Sequence, residues 1–276
     1  MSGNVAAGTD VFGVSDTGLR RQRNEDHFIV ALLRKELTIR QSNVPEDTGL
    51  DAGSVAEAQI FAVADGVGGH EDGDVASRLT LTMLVEYLAR AAACFNQLDT
   101  EEEHAFLERL EAGVHEVHLR LVAALGQGSR PPASTLTMAT LVWPRAYLVH
   151  VGDSRAMYLH GGILRTLTRD QTYAEMLVDD GTLTPEQAGR SMMANTLTSA
   201  IGGLEMMPSV GLVDFVPGDV LLLCSDGLTK HVTDERIAER LRQPWTAEQM
   251  ATTLLQDALD GGGTDNVTVL VARMLG

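Results

Sequence analysis

Hydrophobic positions along this chain follow two periods, and the points where the period changes divide it into elements. VFGVSD, from Val11, and DHFIVALL, residues 26–33, read as strands on either side of the polar loop 17–23, which predicts a hairpin. Residues 34–59 are mixed and polar and include Pro45, Gly49 and Gly53, the composition of a long excursion. FAVAD, residues 61–65, is apolar enough for a strand buried on both faces. Helical spacing then takes over. Leu84, Leu88, Ala91 and Phe95 lie three and four apart within 74–95. A second stripe runs from Phe106 through Leu110, Val114, Val117 and Leu121 to Leu125, behind a Thr100–Glu103 capping pair and with His115 and His118 as boundary residues.

After the breaker GQGSRPP the period returns to two, with TLTMATLVW, AYLVHVGD, RAMYLHGG and ILRTLT as antiparallel strands joined by short turns. Residues 170–195 are helical and polar, and Thr184, Pro185 and Gln187 mark a capped helix start. Met192 and Met193 in this segment are expected to pack a small subdomain. SVGLVDF follows, then VLLLCSDG as a buried strand ending in an acidic glycine turn, helices starting near Thr233 and Thr246, and a last strand, VTVLVAR. Clusters of strands set apart from runs of helix predict an α+β fold of antiparallel sheets covered by helices.

Composition narrows the chemistry. The 276 residues are 44% hydrophobic with 27 glycines, enough to bury a large core. Thirty-eight acidic against 21 basic residues leave a formal charge of −17, which repels nucleic acid and anionic membrane and favours cations, while also serving solubility. The two cysteines, Cys94 and Cys224, lie far apart in apolar surroundings and read as reduced core residues. MSGNVAAGTDV lacks the features of a secretory signal, and no apolar run approaches the ~20 residues of a membrane span, so a cytoplasmic location is expected.

Carboxylates recur at the ends of the predicted strands. FAVADGVGGH, residues 61–70, closes its strand with Asp65 and then Gly66, Gly68 and Gly69. Glycines there let the backbone turn and approach a ligand while Asp65 offers a hard anionic oxygen, though a plain connection has the same composition. Comparable sites are Glu25 and Asp26, Asp153, Asp226 and Asp265. Arg20, Arg21 and Arg23 precede the first of them, either an anion site beside a cation site or a solvated salt-bridged turn. Several carboxylates without thiolates or clustered imidazoles select Mg2+ or Mn2+. Two such ions sharing carboxylates polarise a water for attack on phosphorus, with Arg21 on the phosphate oxygens. Spacing along the chain does not show whether these groups converge.

The ordered set GLRRQRNED, FAVADGVGGH, HVGDSR, CSDGL and GGTDNVTV resembles the metal-dependent serine/threonine protein phosphatases, the protein phosphatase 2C or PPM family in its compact bacterial form. The likeness spans about residues 11–273. It implies one domain over 1–276, built as two antiparallel sheets packed in a sandwich and flanked by helices on both sides (α-β-β-α). By the same resemblance Asp65 bridges two divalent cations, Mn2+ or Mg2+, and Gly66 adds its carbonyl. Asp226 and Asp265 complete one shell, Glu25 and Asp26 lie beside the other ion, and Arg21 binds the substrate phosphate. Asp153 with Asp226 matches the site of a weaker third ion, and residues 170–195 match the flap bordering the active site.

Two departures stand out. Val67 occupies the place where many eukaryotic relatives carry a histidine proposed as general acid, with His70 three positions further on. Ser191, Met192, Met193 and Ala194 precede Asn195, where bacterial relatives often have a histidine-proline pair. The implied function is hydrolysis of phosphoserine and phosphothreonine by a metal-bridging hydroxide without a phosphoenzyme. It would be carried out by a monomer acting on phosphorylated protein substrates alongside a cognate kinase. Two other readings are a catalytically silent signalling module, which would be expected to have lost metal carboxylates, and an enzyme for small phosphoesters.

Overall fold

The computed structural model describes residues 8–35, 56–67, 71–91, 100–125 and 131–275. Its strands form two antiparallel sheets. One runs in the order β1 (Thr9–Asp16), β11 (Val267–Met274), β10 (Val220–Cys224), β7 (Arg155–His160), β8 (Ile163–Thr166). The other runs β2 (Asp26–Lys35), β3 (Ala56–Val67), β5 (Leu136–Val142), β6 (Arg145–Val151), β9 (Ser209–Asp214), with β4 (Ala133–Ser134) paired to the end of β3. Helices α1 (Glu71–Ala91) and α2 (Thr100–Leu125) cover the second sheet, and α5 (Asp226–Thr229), α6 (Asp234–Leu241) and α7 (Ala247–Asp260) cover the first. The two-residue side-chain period of a strand explains the layering. On β3, Ile60, Ala62 and Ala64 face α1 and α2, while Phe61 and Val63 enter the space between the sheets. On β10, Val220, Leu222 and Cys224 face the helices, and Leu221 and Leu223 meet Phe61 in the middle. Both faces are buried, so FAVA and VLLLC read as continuous apolar runs. The α-β-β-α sandwich is the architecture expected.

The helix caps expected at Thr184, Thr233 and Thr246 are in place, and those at Thr184 and Thr246 are full capping boxes with Gln187 and Gln249. Four local expectations are corrected. β1 and β2 do not pair as a hairpin: β1 pairs with β11 and β2 with β3, so the loop 17–25 passes from one sheet to the other. The turn at Gly152 makes the same crossing between β6 and β7. Asp226 opens the short helix α5 rather than a turn. Met192 is 98% exposed and Met193 half-exposed, instead of packed. Residues 170–195 hold only α3 (Tyr173–Asp179) and α4 (Pro185–Ala188), whose buried residues are Ala174 and Ala188, an interior too small to enclose them. Phe95, Cys94, Gly68, Gly69, His70 and residues 36–55 lie outside the described residues, as does the side chain of Thr100. Among the described residues no helix is long and apolar enough to cross a membrane.

Candidate metal centre

Both sheet-to-sheet crossings lie at the same end of the sandwich, and the ends of β3 and β10 and the start of β11 lie there too. A cavity of about 220 Å³ opens at this end. Five of its walls are carboxylates: Glu25 from the first crossing, Asp65 from β3, Asp153 from the second crossing, Asp226 from the first turn of α5, and Asp265 from the turn before β11. Arg21, Lys230, Gly66, Val67, Asn195 and Asn266 also line it. Groups separated by up to 245 positions in sequence, Arg21 to Asn266, therefore meet in one place. Asp26 is not on the wall. It lies directly behind, in register with Asp65 across β2 and β3, and is buried.

Backbone packing positions these carboxylates. Thr135 grips Asp65 on both sides, its hydroxyl accepting from the Asp65 N–H at 2.9 Å and its own N–H donating to the Asp65 carbonyl at 2.9 Å. Gly66 lies in extended strand, not in a sharp turn. Its missing Cβ admits the Gly73 carbonyl of α1, which any side chain would overlap. Gly227, next to Asp226, likewise makes room for the Asn266 carbonyl. In both Asp-Gly pairs the glycine serves a close backbone crossing. The Asn266 side chain joins the two loops that carry Arg21, Glu25 and Asp265. It accepts from the Glu25 N–H at 2.9 Å and donates to the carbonyls of Thr17 and Arg23 at 2.9 and 2.8 Å.

The electrostatics are those of a site short of positive charge. Burial first, and then repulsion from neighbouring carboxylates, pushes Asp65 well above the ordinary aspartate range. Burial pushes Asp26 up to about 6 even though Ser225 and Thr268 donate to its Oδ2, at 2.7 and 2.8 Å. Burial, with Asp226 and Asp170 nearby, raises Asp153 to about 7. Asp226 is raised by burial against the opposing pull of Lys230. Asp265 alone of this group is lowered, because Lys230 and Arg21 outweigh its burial. The Lys230 ammonium lies 2.5 Å from Asp226 Oδ2 and 2.8 Å from Asp265 Oδ2, and Arg21 Nε lies 2.8 Å from Asp265 Oδ1.

These residues fit divalent cations. Asp26 Oδ1 and Asp226 Oδ1 are buried with no hydrogen-bond partner, an arrangement costly for a carboxylate oxygen unless a cation compensates it. The donors are hard oxygens, which suits Mg2+ or Mn2+. Burial pushes the Cys224 thiol up to about 12, in the core facing the helices, so no thiolate competes. As the side chains stand, among the described residues no three His, Cys, Asp or Glu side chains are close enough together to cage an ion. The Lys230 ammonium lies between two of them, Asp226 and Asp265, and Arg21 pairs with Asp265. Sequence reading missed Lys230, Asn195, Leu197, Asn266 and the supporting Thr135, Ser225 and Thr268. Only Lys230, four residues beyond Asp226, carries a readable signal.

A larger cavity of about 480 Å³ adjoins this one beside the segment 170–195 and shares Asp153, Asn195, Asp226 and Lys230 with it. Across it Arg155 and Asp170 form a two-pronged ion pair at 2.8 and 2.7 Å.

Residues 38–261 match the family model for protein phosphatase 2C. The serine/threonine protein phosphatase PstP of Mycobacterium tuberculosis is 38% identical over 228 residues, 80% of this chain. The chain spans about two fifths (41%) of the length of that protein. The serine/threonine phosphatase stp of Listeria innocua is 32% identical over 85% of this chain and 91% of its own length. Among solved structures, the catalytic domain of PstP in complex with two manganese ions superposes with a TM-score of 0.73 at 31% identity, covering 97% of this chain and 99% of that one.

Proposed function

This chain belongs to the protein phosphatase 2C family, and on that footing we propose that it hydrolyses phosphoserine and phosphothreonine in proteins, with Mn2+ or Mg2+ as cofactor and without a covalent phosphoenzyme. The observation that carries this reading is the meeting of Glu25, Asp65, Asp153, Asp226 and Asp265 around one cavity, with orphaned oxygens on Asp26 and Asp226. Asp65, the Gly66 carbonyl, Asp226 and Asp265 would hold one ion, and Glu25 and Asp26 would flank a second, with Asp65 shared between them. Asp153 with Asp226 would serve a weaker third. Bound there, the cations supply an activated water for in-line attack on phosphorus and offset the charge of the phosphoryl oxygens.

The chain's own residues do the rest. Asp265 accepts from Arg21 Nε and so fixes a half-exposed guanidinium at the rim, where it receives the substrate phosphate. Val67 lines the cavity and has no ionisable proton, so that position supplies no general acid. Residues 170–195 would form the flap of one domain spanning the chain; its Asn195 lines both cavities, and Met192 and Met193 nearby in sequence are exposed. Substrates are phosphorylated proteins in the cytoplasm, and a serine/threonine kinase would be the opposing activity. No described position argues for the silent module, since each expected carboxylate is present.

Asp65→Ala and Asp226→Ala should each abolish Mn2+-dependent hydrolysis of a phosphothreonine peptide, and chelator should silence the parent. Activity that survives both changes, or chelation, overturns the two-metal reading. Faster turnover of free nucleotides than of phosphopeptide would favour the small phosphoester enzyme instead.

A further inference from the structure

Lys230 is not an ordinary surface lysine. It caps α5 one turn beyond Asp226, with its N–H on the Asp226 carbonyl at 2.9 Å, so the helix itself aims the side chain back over the Asp226 carboxylate. The ammonium then sits between Asp226 Oδ2 and Asp265 Oδ2 at 2.5 and 2.8 Å. It is three-quarters covered, and it lines both the acidic cavity and the larger one beside the segment 170–195.

We propose that Lys230 is a built-in counter-ion: it neutralises Asp226 and Asp265 in the metal-free chain and must leave them when a divalent cation binds. The inference rests on the metal reading above. A divalent cation takes carboxylate oxygens at about 2.0 to 2.6 Å. An ammonium within hydrogen-bond reach of the same two oxygens would then stand a few ångströms from a doubly charged ion, in a buried site where screening is weak. The two cannot share the pair. The adjoining 480 Å³ cavity gives the side chain somewhere to go, since Lys230 already forms part of its wall, together with Asp153, Asp170 and Glu175. Metal uptake is therefore an exchange of cations. The lysine keeps the carboxylate cluster from repelling itself apart before loading, and it weakens the apparent affinity for the ion that replaces it.

The test is Mn2+ titration by calorimetry on the chelator-treated 276-residue chain, with Lys230→Met, Lys230→Gln and Lys230→Arg beside the parent, and thermal melts with and without Mn2+. Both neutral variants should bind Mn2+ at least tenfold more tightly than the parent and melt lower when metal-free, with the gap closing once Mn2+ is saturating. Lys230→Arg, which keeps the charge, should stay within a few-fold of the parent. If either neutral variant were unfolded without metal, the other still reports. Equal or weaker Mn2+ binding by the neutral variants overturns this inference alone, whereas no Mn2+ binding by any protein, the parent included, overturns the metal reading as well.

Discussion

The Asn266 side chain joins Thr17, Arg23 and Glu25 to the Asp265 turn through three hydrogen bonds while contributing no charge. It is buried, so removing it leaves unpaired backbone groups in a region water does not readily reach. Asn266→Ala should cost about 2–4 kcal/mol in denaturant unfolding and reduce turnover as well, because Arg21 and Glu25 lose their anchor. A loss below about 0.5 kcal/mol would mean that the loops are held by other contacts. Arg21→Ala removes one guanidinium at the rim and should chiefly raise KM for a phosphopeptide, by roughly tenfold or more if it forms charge-assisted bonds to the phosphate. An unchanged KM would take Arg21 out of the phosphate site.

The elements around the site differ in how much of the core they build. β3, β10 and β11 have both faces buried, whereas α3 and α4 bury little beyond two alanines. Residues 170–195 can therefore change sequence without disturbing the sandwich. Met192→Ser should leave stability within about 0.5 kcal/mol of the parent, the usual limit for an exposed position, while altering the relative rates on different phosphopeptides. A clear drop in melting temperature would show that Met192 packs in solution.

For the molecule as a whole, the acidic end makes stability depend on pH and on metal. In the metal-free chain Asp65 lies well above, and Asp153 at about 7 against, an ordinary value of 3.8. The folded state therefore binds these protons more tightly than the unfolded state. Their contribution is complete below about pH 4 and is lost as pH rises through 7. Buried His150 and the partly buried His27 and His118 are shifted down by desolvation and act in the opposite sense, but only up to about pH 6.5. From pH 6.5 to 8, Asp153 alone removes about 1 kcal/mol, or roughly 2 °C, and Asp65 adds to the loss. Melts of chelated protein should fall across that window and flatten when Mn2+ is added. A chelated melt that is flat or rising there would contradict the raised values.

Periodicity was sufficient for the elements and the fold class, because burial on one or both faces of a strand or helix is a local demand that each segment must satisfy by itself. Acid-glycine pairs at strand ends marked Asp65 and Asp226 as candidate ligands, but the reason for those glycines is tertiary: Gly66 and Gly227 make room for the carbonyls of Gly73 and Asn266. Pairing across sheets was not legible. VFGVSD and DHFIVALL satisfy the same local rules whether they form a hairpin or part into two sheets, and the choice is made by β11 and β3, far away in sequence. Nor was the role of Lys230, Asn266 or Thr135 legible, since each acts on a partner that the fold alone brings within hydrogen-bond distance. The ammonium of Lys230 between Asp226 and Asp265 is such a case: its nearness to Asp226 is a property of one helical turn, but its nearness to Asp265, 35 residues on, exists only once α5 is packed against the turn before β11.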